Sequence, residues 1–314
     1  MMTTRRHVMP ESKLTHHVSL PMLESAIPRQ SVEQVLSECE AWEQRQKQLS
    51  MSAIVYWLIG LSWFPQCSLR EVWRRLLDGW QAIWPPLQWD VATTGALCQR
   101  RGQLGVRPMR ELGARCVHPI ATAATRGAFR WQMRVGALES TLEDLPESDA
   151  TRTVFPYNAG EAHSHPPFPQ VGSVLLLEGG THASFDAQLL SNRVQEQQGA
   201  WLVLARSLCA GMVLLWDRGF HTHEVIALVR SRGAHVLARR PSHCLRSVWA
   251  RLGAGSYLAK IPRNSKNGSG PLLRVRLIEY TITDQQVPGC GETLPLMTTL
   301  LDALLDPALE LIAL

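Results

Sequence analysis

The sequence has no apolar run long enough to cross a membrane. Its longest run, 51–64, is interrupted by Ser52, Gly60 and Ser62 and stops at Pro65, whereas a membrane-spanning helix needs about 20 apolar residues. The first 21 residues have no apolar block followed by a small-residue cleavage site, so no secretory signal peptide is expected. We therefore predict that 51–64 is a buried helix of a globular protein.

Cysteines at metal-binding or disulfide-framework spacing are also missing. The seven cysteines are odd in number, widely spread and never in C-x-x-C spacing, which favours a reducing, cytoplasmic location over a secreted one. The histidine pairs His163/His165 and His221/His223 have no cysteine or acidic partner at ligand spacing. We expect them to be surface or core residues and not zinc ligands.

Lysine is scarce, because only four of the 32 basic residues are lysines and the others are arginines. The planar guanidinium of arginine donates two parallel hydrogen bonds to a phosphate, which lysine does not. Two blocks hold most of the excess: residues 100–134 have eight arginines against one acid, and residues 206–276 have thirteen basic residues against two acids. These blocks indicate either two solvated basic faces or a surface for a polyanion.

The hydrophobic pattern divides the chain near residue 130. Residues 28–130 are predicted to form a helical domain, because capping signals at Ser31, Ser68 and Thr93 precede stripes of helical period. Residues 1–27 are expected to be disordered or extended. From residue 131 onward, strands alternate with helices, which predicts an α/β domain built on a mixed sheet.

The predicted elements of the second domain follow from period-two alternation and from continuous apolar runs. Residues 144–170 are expected to form a loop or lid, and residues 300–314 an apolar, helix-like tail. The predicted strands are 131–137, 174–178, 181–187, 212–216, 235–239, 257–261 and 273–278, and the predicted helices are 192–208 and 222–232.

Two acidic residues follow predicted central strands. Asp217 comes directly after 212–216, a continuous apolar run typical of a strand buried on both faces, and Glu139 follows a strand 78 residues earlier. Ligands of open α/β sheets bind at the carboxyl ends of the strands, so these carboxylates are candidates to share divalent metal ions, of which Mg²⁺ suits oxygen ligands best. The alternative is that Asp217 caps the next helix and pairs with Arg218.

Three motifs follow one another along the second half of the chain: LEGGTHA at 177–183, LLWDRGF at 214–220 and RLIEY at 276–280. They resemble motifs of bacterial transposases of the insertion-sequence-four family. The resemblance begins at 28–29 and 64–72 and runs to 298–302, so it covers nearly the whole chain. It implies a helical N-terminal domain followed by a ribonuclease-H-like mixed sheet with flanking helices and a β insertion, which carries a catalytic centre of three acids, the DDE type.

The resemblance also implies roles for particular residues. Asp217 matches the second catalytic acid, and Glu139 stands where the family has its first Asp, in a D-G-T-x-x-D-L-P string that here reads ESTLEDLP. Ser140 replaces the glycine of that string. The third acid belongs to a later helix, and the sequence ends at Leu314 before such a motif. The resemblance therefore implies an incomplete sheet domain in a truncated, inactive copy.

DNA and Mg²⁺ are the partner and the cofactor that the resemblance implies, with DNA meaning both the terminal inverted repeats and the target. A homo-oligomer in a synaptic complex in the cytoplasm is expected as well. Glu139 and Asp217 are the predicted catalytic and metal-binding residues. The predicted phosphate-binding residues are Arg100, Arg101, Arg218, Arg239 and Arg240.

The sequence is also compatible with other functions. The chain could be a non-catalytic DNA-binding remnant that regulates or inhibits transposition. A decaying fragment without function and a metal-dependent nuclease unrelated to transposition are the remaining alternatives.

Overall fold

The computed structural model describes residues 20–42, 49–83, 92–157, 168–191, 193–240, 247–253, 255–263, 271–283 and 290–314. The chain divides into two compact units, Met1–Val117 and His118–Leu314. The hydrophobic pattern predicted the boundary at 130/131 instead. Residues 118–130 group with the second unit because the backbone N–H groups of Ile120 and Ala121 donate to the buried carboxylate of Glu178.

The described part of the first unit is helical, as predicted. Its helices are α1 (Leu20–Ala26), α2 (Arg29–Glu38), α3 (Met51–Trp63), α4 (Leu69–Ile83), α5 (Thr94–Leu104) and α6 (Arg107–Cys116). The helix α1 lies inside the segment 1–27 that was expected to be disordered or extended, so that expectation is wrong for residues 20–26. Residues 1–19 lie outside the described residues.

Most capping signals of this unit act where the sequence predicts. The hydroxyl of Ser68 accepts from Glu71 N at the start of α4, and that of Thr93 accepts from Ala96 N at the start of α5. Ser31 is an exception, since α2 already begins at Arg29, after Pro28. The predicted apolar helix α3 is almost entirely buried and forms the centre of this unit's core.

The second unit is built on one large mixed sheet. Its strands are β1 (Phe129–Arg130), β2 (Met133–Asp144), β3 (Gln170–Glu178), β4 (Ser184–Ser191), β5 (Met212–Trp216), β6 (His235–Arg239), β7 (Ser247–Gly253), β8 (Ser256–Pro262), β9 (Leu272–Thr281) and β10 (Thr293–Thr298). Its helices are α7 (Asp149–Val154), α8 (Glu196–Ser207), α9 (His223–Ser231) and α10 (Ala308–Ile312).

The strand order is β4-β3-β2-β5-β6-β10-β9-β8-β7, and β1 pairs with β2. The first three strands along the chain after β1 form an antiparallel meander, and β5 and β6 then join β2 in parallel. This is the mixed sheet expected from the resemblance to ribonuclease-H-like domains. The strands β7 to β10 extend it in antiparallel fashion, so the predicted α/β class with a β insertion is confirmed.

The two faces of the sheet have separate apolar clusters. Residues such as Leu138, Trp216 and Ala238 pack with α8 and α9 in the larger cluster. Val135 and Leu237 point to the other face, where they pack in a smaller cluster that includes α10. Because side chains alternate along a strand, the next residue of each strand faces the opposite cluster from its predecessor.

Three expectations for this unit need correction. The strands β7 and β10 were not predicted. The segment 144–170 is not all loop, since it contains α7 and is bounded by the ends of β2 and β3, and its residues 158–167 lie outside the described residues. The tail 300–314 is helical only over α10. Among the helices that the structure describes, none has the length and apolar character needed to cross a bilayer.

Candidate functional site

The two predicted acids lie side by side at one edge of the sheet. Leu138 of β2 is in register with Trp216 of β5, and Trp216 is in register with Ala238 of β6. Each strand continues by one residue to Glu139, Asp217 and Arg239. Neighbouring strands are about 4.8 Å apart, so the carboxyl edge of three parallel strands presents an acid, an acid and an arginine in a row.

Asp217 is the exposed first residue after the buried strand β5. Its carboxylate accepts a hydrogen bond of 2.8 Å from Gly219 N and so caps a short 3-10 helix, Arg218–Phe220. Phe220 is only 2% exposed and anchors this turn in the larger apolar cluster. Asp217 therefore has the capping role that the sequence offered as an alternative. Only Oδ1 accepts the capping hydrogen bond, and the side chain remains exposed at the edge of the sheet.

Glu139 is not at the end of its strand, contrary to the prediction. The strand β2 continues to Asp144, paired with β3 alone, while its pairing with β5 stops at Leu138. Glu139 is exposed and Leu138 is buried. Glu139 thus lies at the point where β2 leaves its parallel neighbour, which exposes the carboxylate.

A third acid, Glu196, was not predicted, and it lies close to the turn that follows Asp217. Glu196 begins α8, and its Oε1 accepts a hydrogen bond of 2.9 Å from the Ser140 hydroxyl. The side-chain amide of Gln197 donates to the carbonyl oxygen of Gly219. In the sequence, Glu196 is recognisable only as an acid near the start of a predicted helix. Its hydrogen bond to Ser140, which is 56 residues earlier, depends on how α8 packs on the sheet.

The predicted phosphate-binding arginines differ in availability. Arg218 and Arg239 are exposed next to the acids, and Arg240 is half-buried on the adjacent position of the chain. Arg101 is exposed on α5 of the first unit.

Arg100 is wrong as a phosphate ligand, because it is only 6% exposed. Its guanidinium donates to the carbonyl oxygen of Leu49 and to the side chain of Gln103. This contact holds α5 to the segment that precedes α3, so the residue is structural.

The acids suit a hard divalent cation. Mg²⁺ is bound in proteins through one or two carboxylates and completes its shell with waters and substrate phosphates, and Glu139 and Asp217 supply two exposed carboxylates. Within the described ranges, no group of three His, Cys, Asp or Glu side chains is close enough to hold a metal ion. His223 lies elsewhere, with Nε2 2.9 Å from the carbonyl oxygen of Pro271. His163 and His165 are outside the described residues.

Part of the first unit matches a known protein family. Residues 17–114 match the family described as insertion element 4 transposase N-terminal. Over these residues the chain is similar to the N-terminal part of insertion element 4 transposases. The matched residues span α1 to α5 and most of α6, and the match confirms the resemblance to insertion-sequence-four transposases for this part of the chain. No curated protein matches the chain.

Two solved structures show distant likeness. A piggyBac transposase from a synaptic complex with hairpin DNA is 11% identical, with a TM-score of 0.41 over 91% of this chain and 62% of that chain. Endonuclease V of Streptomyces avermitilis is 12% identical, with a TM-score of 0.24 over 60% of this chain and 74% of that chain.

Proposed function

We propose that the second unit is the catalytic-type domain of a DNA transposase, and that DNA phosphates bind at the edge formed by Glu139, Asp217 and Arg239. The observation that supports this most directly is the register of β2, β5 and β6, which aligns these residues in a chain whose residues 17–114 match the insertion element 4 transposase N-terminal family. Two carboxylates next to exposed guanidinium groups are suited to a metal-bound phosphodiester.

The roles of the residues follow from their chemistry. Glu139 and Asp217 would hold Mg²⁺, which when bound supplies Lewis-acid activation of the attacking and leaving oxygens. Arg218 and Arg239 would bind the backbone phosphates on either side by paired hydrogen bonds. The capping bond from Gly219 N fixes the Asp217 carboxylate, which reduces the freedom it must lose on binding.

We also propose that this chain does not complete cleavage and strand transfer. In the family motif, the first acid is Asp, and Glu139 carries its carboxylate one methylene further from the strand. Catalytic constellations tolerate displacements of only about 0.5 Å. The same arginines would still bind DNA, which supports a second candidate function, a non-catalytic DNA-binding protein that regulates or inhibits transposition.

A DNA-binding experiment tests the proposal. The full chain is titrated into a labelled duplex that carries the inverted repeat bracketing the gene, at several salt concentrations. Each phosphate contact contributes about 0.9 to the slope of log K against log salt. We expect Arg239→Ala and Arg218→Ala each to lower the slope by about this amount. Arg230→Ala, an exposed position at the far end of α9, should leave it unchanged.

Cleavage of the same duplex in Mg²⁺ separates the candidate functions. Binding without cleavage is the expected result and supports the regulator. Cleavage that is abolished by Asp217→Asn would contradict inactivity while supporting the phosphodiester chemistry of this edge. Absence of any salt-sensitive binding would contradict both candidate functions.

A further inference from the structure

The first turn of α8 contacts a residue close in sequence to each proposed metal ligand. Glu196 accepts from the hydroxyl of Ser140, the neighbour of Glu139 on β2. Gln197 donates to the carbonyl oxygen of Gly219, in the turn that Asp217 caps. Two consecutive residues of one helix therefore join two segments of the sheet edge that are remote in sequence.

Gly219 lies between the carboxylates of Asp217 and Glu196. A Cβ added to Gly219 would lie 3.1 Å from Asp217 Oδ1 and 3.2 Å from Glu196 Oε2. Both carboxylates are thus close to the Cα of Gly219, which has no side chain. A side chain there would press against both of them, so the absence of one lets the helix and the turn approach.

The helix that makes these contacts is itself firmly held. Gly199, one turn further along α8, is buried against the sheet, and a Cβ on it would lie 2.7 Å from Leu190 Cδ1 and 2.9 Å from Val174 Cγ2. Ala200, Val203 and Leu204 complete the buried face. The buried face of α8 therefore fixes the position of its first turn relative to the sheet.

We propose that Glu196 and Gln197 are positioning residues, which hold β2 and the Arg218–Phe220 turn so that the carboxylates of Glu139 and Asp217 face one divalent cation. This inference rests on the proposed function. Neither residue is assigned to the metal itself. Glu196 acts through Ser140, the residue next to Glu139 in the chain. Gln197 acts through Gly219, whose N–H caps Asp217.

A simpler role for Glu196 is a favourable interaction of its charge with the helix dipole at the N-terminus of α8. The two roles predict different behaviour of Glu196→Gln. The amide oxygen of glutamine still accepts from Ser140 but has no charge for the dipole. Glu196→Gln should therefore preserve a positioning role and weaken a dipole role.

Mn²⁺ affinity of the full chain, measured by water-proton relaxation, tests the positioning. Residues that orient metal ligands typically change affinity 10- to 100-fold. We expect Glu196→Ala, Gln197→Ala and Ser140→Ala each to raise the Kd about tenfold, with Glu196→Gln close to the unmodified chain. The matched control is Gln198→Ala, an exposed position on the same turn, which should have no effect. Combining Glu196→Ala with Ser140→Ala should add nothing, because they remove the same contact.

Amide hydrogen exchange of residues 214–220 without metal provides an independent measurement. Glu196→Ala and Gln197→Ala should speed exchange at Gly219, and Gln198→Ala should not. Unchanged exchange together with unchanged Mn²⁺ affinity in a chain that binds Mn²⁺ overturns the inference alone. If the unmodified chain binds no Mn²⁺, the proposed metal chemistry and the inference that rests on it both fail. A loss of affinity in Glu196→Gln equal to that in Glu196→Ala also overturns it.

Discussion

At the scale of single residues, Glu178 shows how one buried acid organises a segment. Its side chain is fully buried and pairs with Arg134. It also accepts from Ile120 N at 3.1 Å, Ala121 N at 2.7 Å and the Thr181 hydroxyl at 2.9 Å. The carboxylate is thus surrounded by donors, and it joins the segment before β1 to the turn between β3 and β4.

Replacing Glu178 should therefore be costly. Removing one partner of a buried ion pair leaves the other charge without compensation, which typically lowers the free energy of unfolding by roughly 3–5 kcal/mol. We expect Glu178→Ala to show a loss of this size in urea unfolding followed by circular dichroism. Glu143→Ala, an exposed acid on β2, is the control. A loss for Glu178→Ala no larger than that of the control would contradict this account.

Residue chemistry could be predicted from the sequence only in part. Asp217 was found because a polar residue directly after a buried strand is a local signal. Arg100 was misassigned because its charge resembles that of its exposed neighbour Arg101, and the carbonyl oxygen of Leu49 that it binds lies 51 residues away. A count of charges does not show which guanidinium group is buried and hydrogen-bonded within the protein.

At the scale of elements, the best-predicted pieces have strong local patterns. The strands β5 and β6 have the predicted bounds, since continuous apolar runs define them, and the hydroxyl of Thr222 caps α9. The strand β7 was missed because almost all of its residues are exposed and no face alternates. The strand β10 was missed because its position depends on pairing with β6 and β9, which is not a local property.

The packing of α8 leads to a prediction in which propensity and packing oppose each other. Ala is a better helix former than Gly by about 1 kcal/mol, yet a methyl group at Gly199 would meet Leu190 and Val174 below 3.0 Å. Overpacking typically costs 1–3 kcal/mol, so we expect Gly199→Ala to lower the urea midpoint of the chain.

The control is Gly102→Ala in α5, where an added Cβ has nothing within 4 Å. There propensity acts alone, and stability should stay equal or rise. If Gly199→Ala were as stabilising as Gly102→Ala, the close packing of α8 on β3 and β4 described here would be wrong.

At the scale of the whole molecule, the candidate site depends on long-range topology. Glu139 and Asp217 meet because β5 returns to pair in parallel with β2, and parallel strands end at the same edge of a sheet. That rule made their proximity predictable from the order of elements. The contribution of Glu196 was not predictable, because it depends on how α8 lies across the sheet.

Each unit has its own exposed arginines: Arg101 lies on α5 of the first unit, and Arg218 and Arg239 lie at the acid-bearing edge of the second. A basic chain with a net charge of +5 favours a polyanionic partner such as the DNA proposed above. The central claim is that Glu139 and Asp217 hold one divalent cation between them.

Iron-mediated backbone cleavage tests that claim most directly. Fe²⁺ substitutes for Mg²⁺ in carboxylate sites, and with ascorbate and peroxide it cuts the chain near the metal. We predict cuts near residues 139 and 217 together, suppressed by excess Mg²⁺ and lost in Asp217→Asn. Cuts at neither position, or cuts that persist unchanged in Asp217→Asn, would contradict the account.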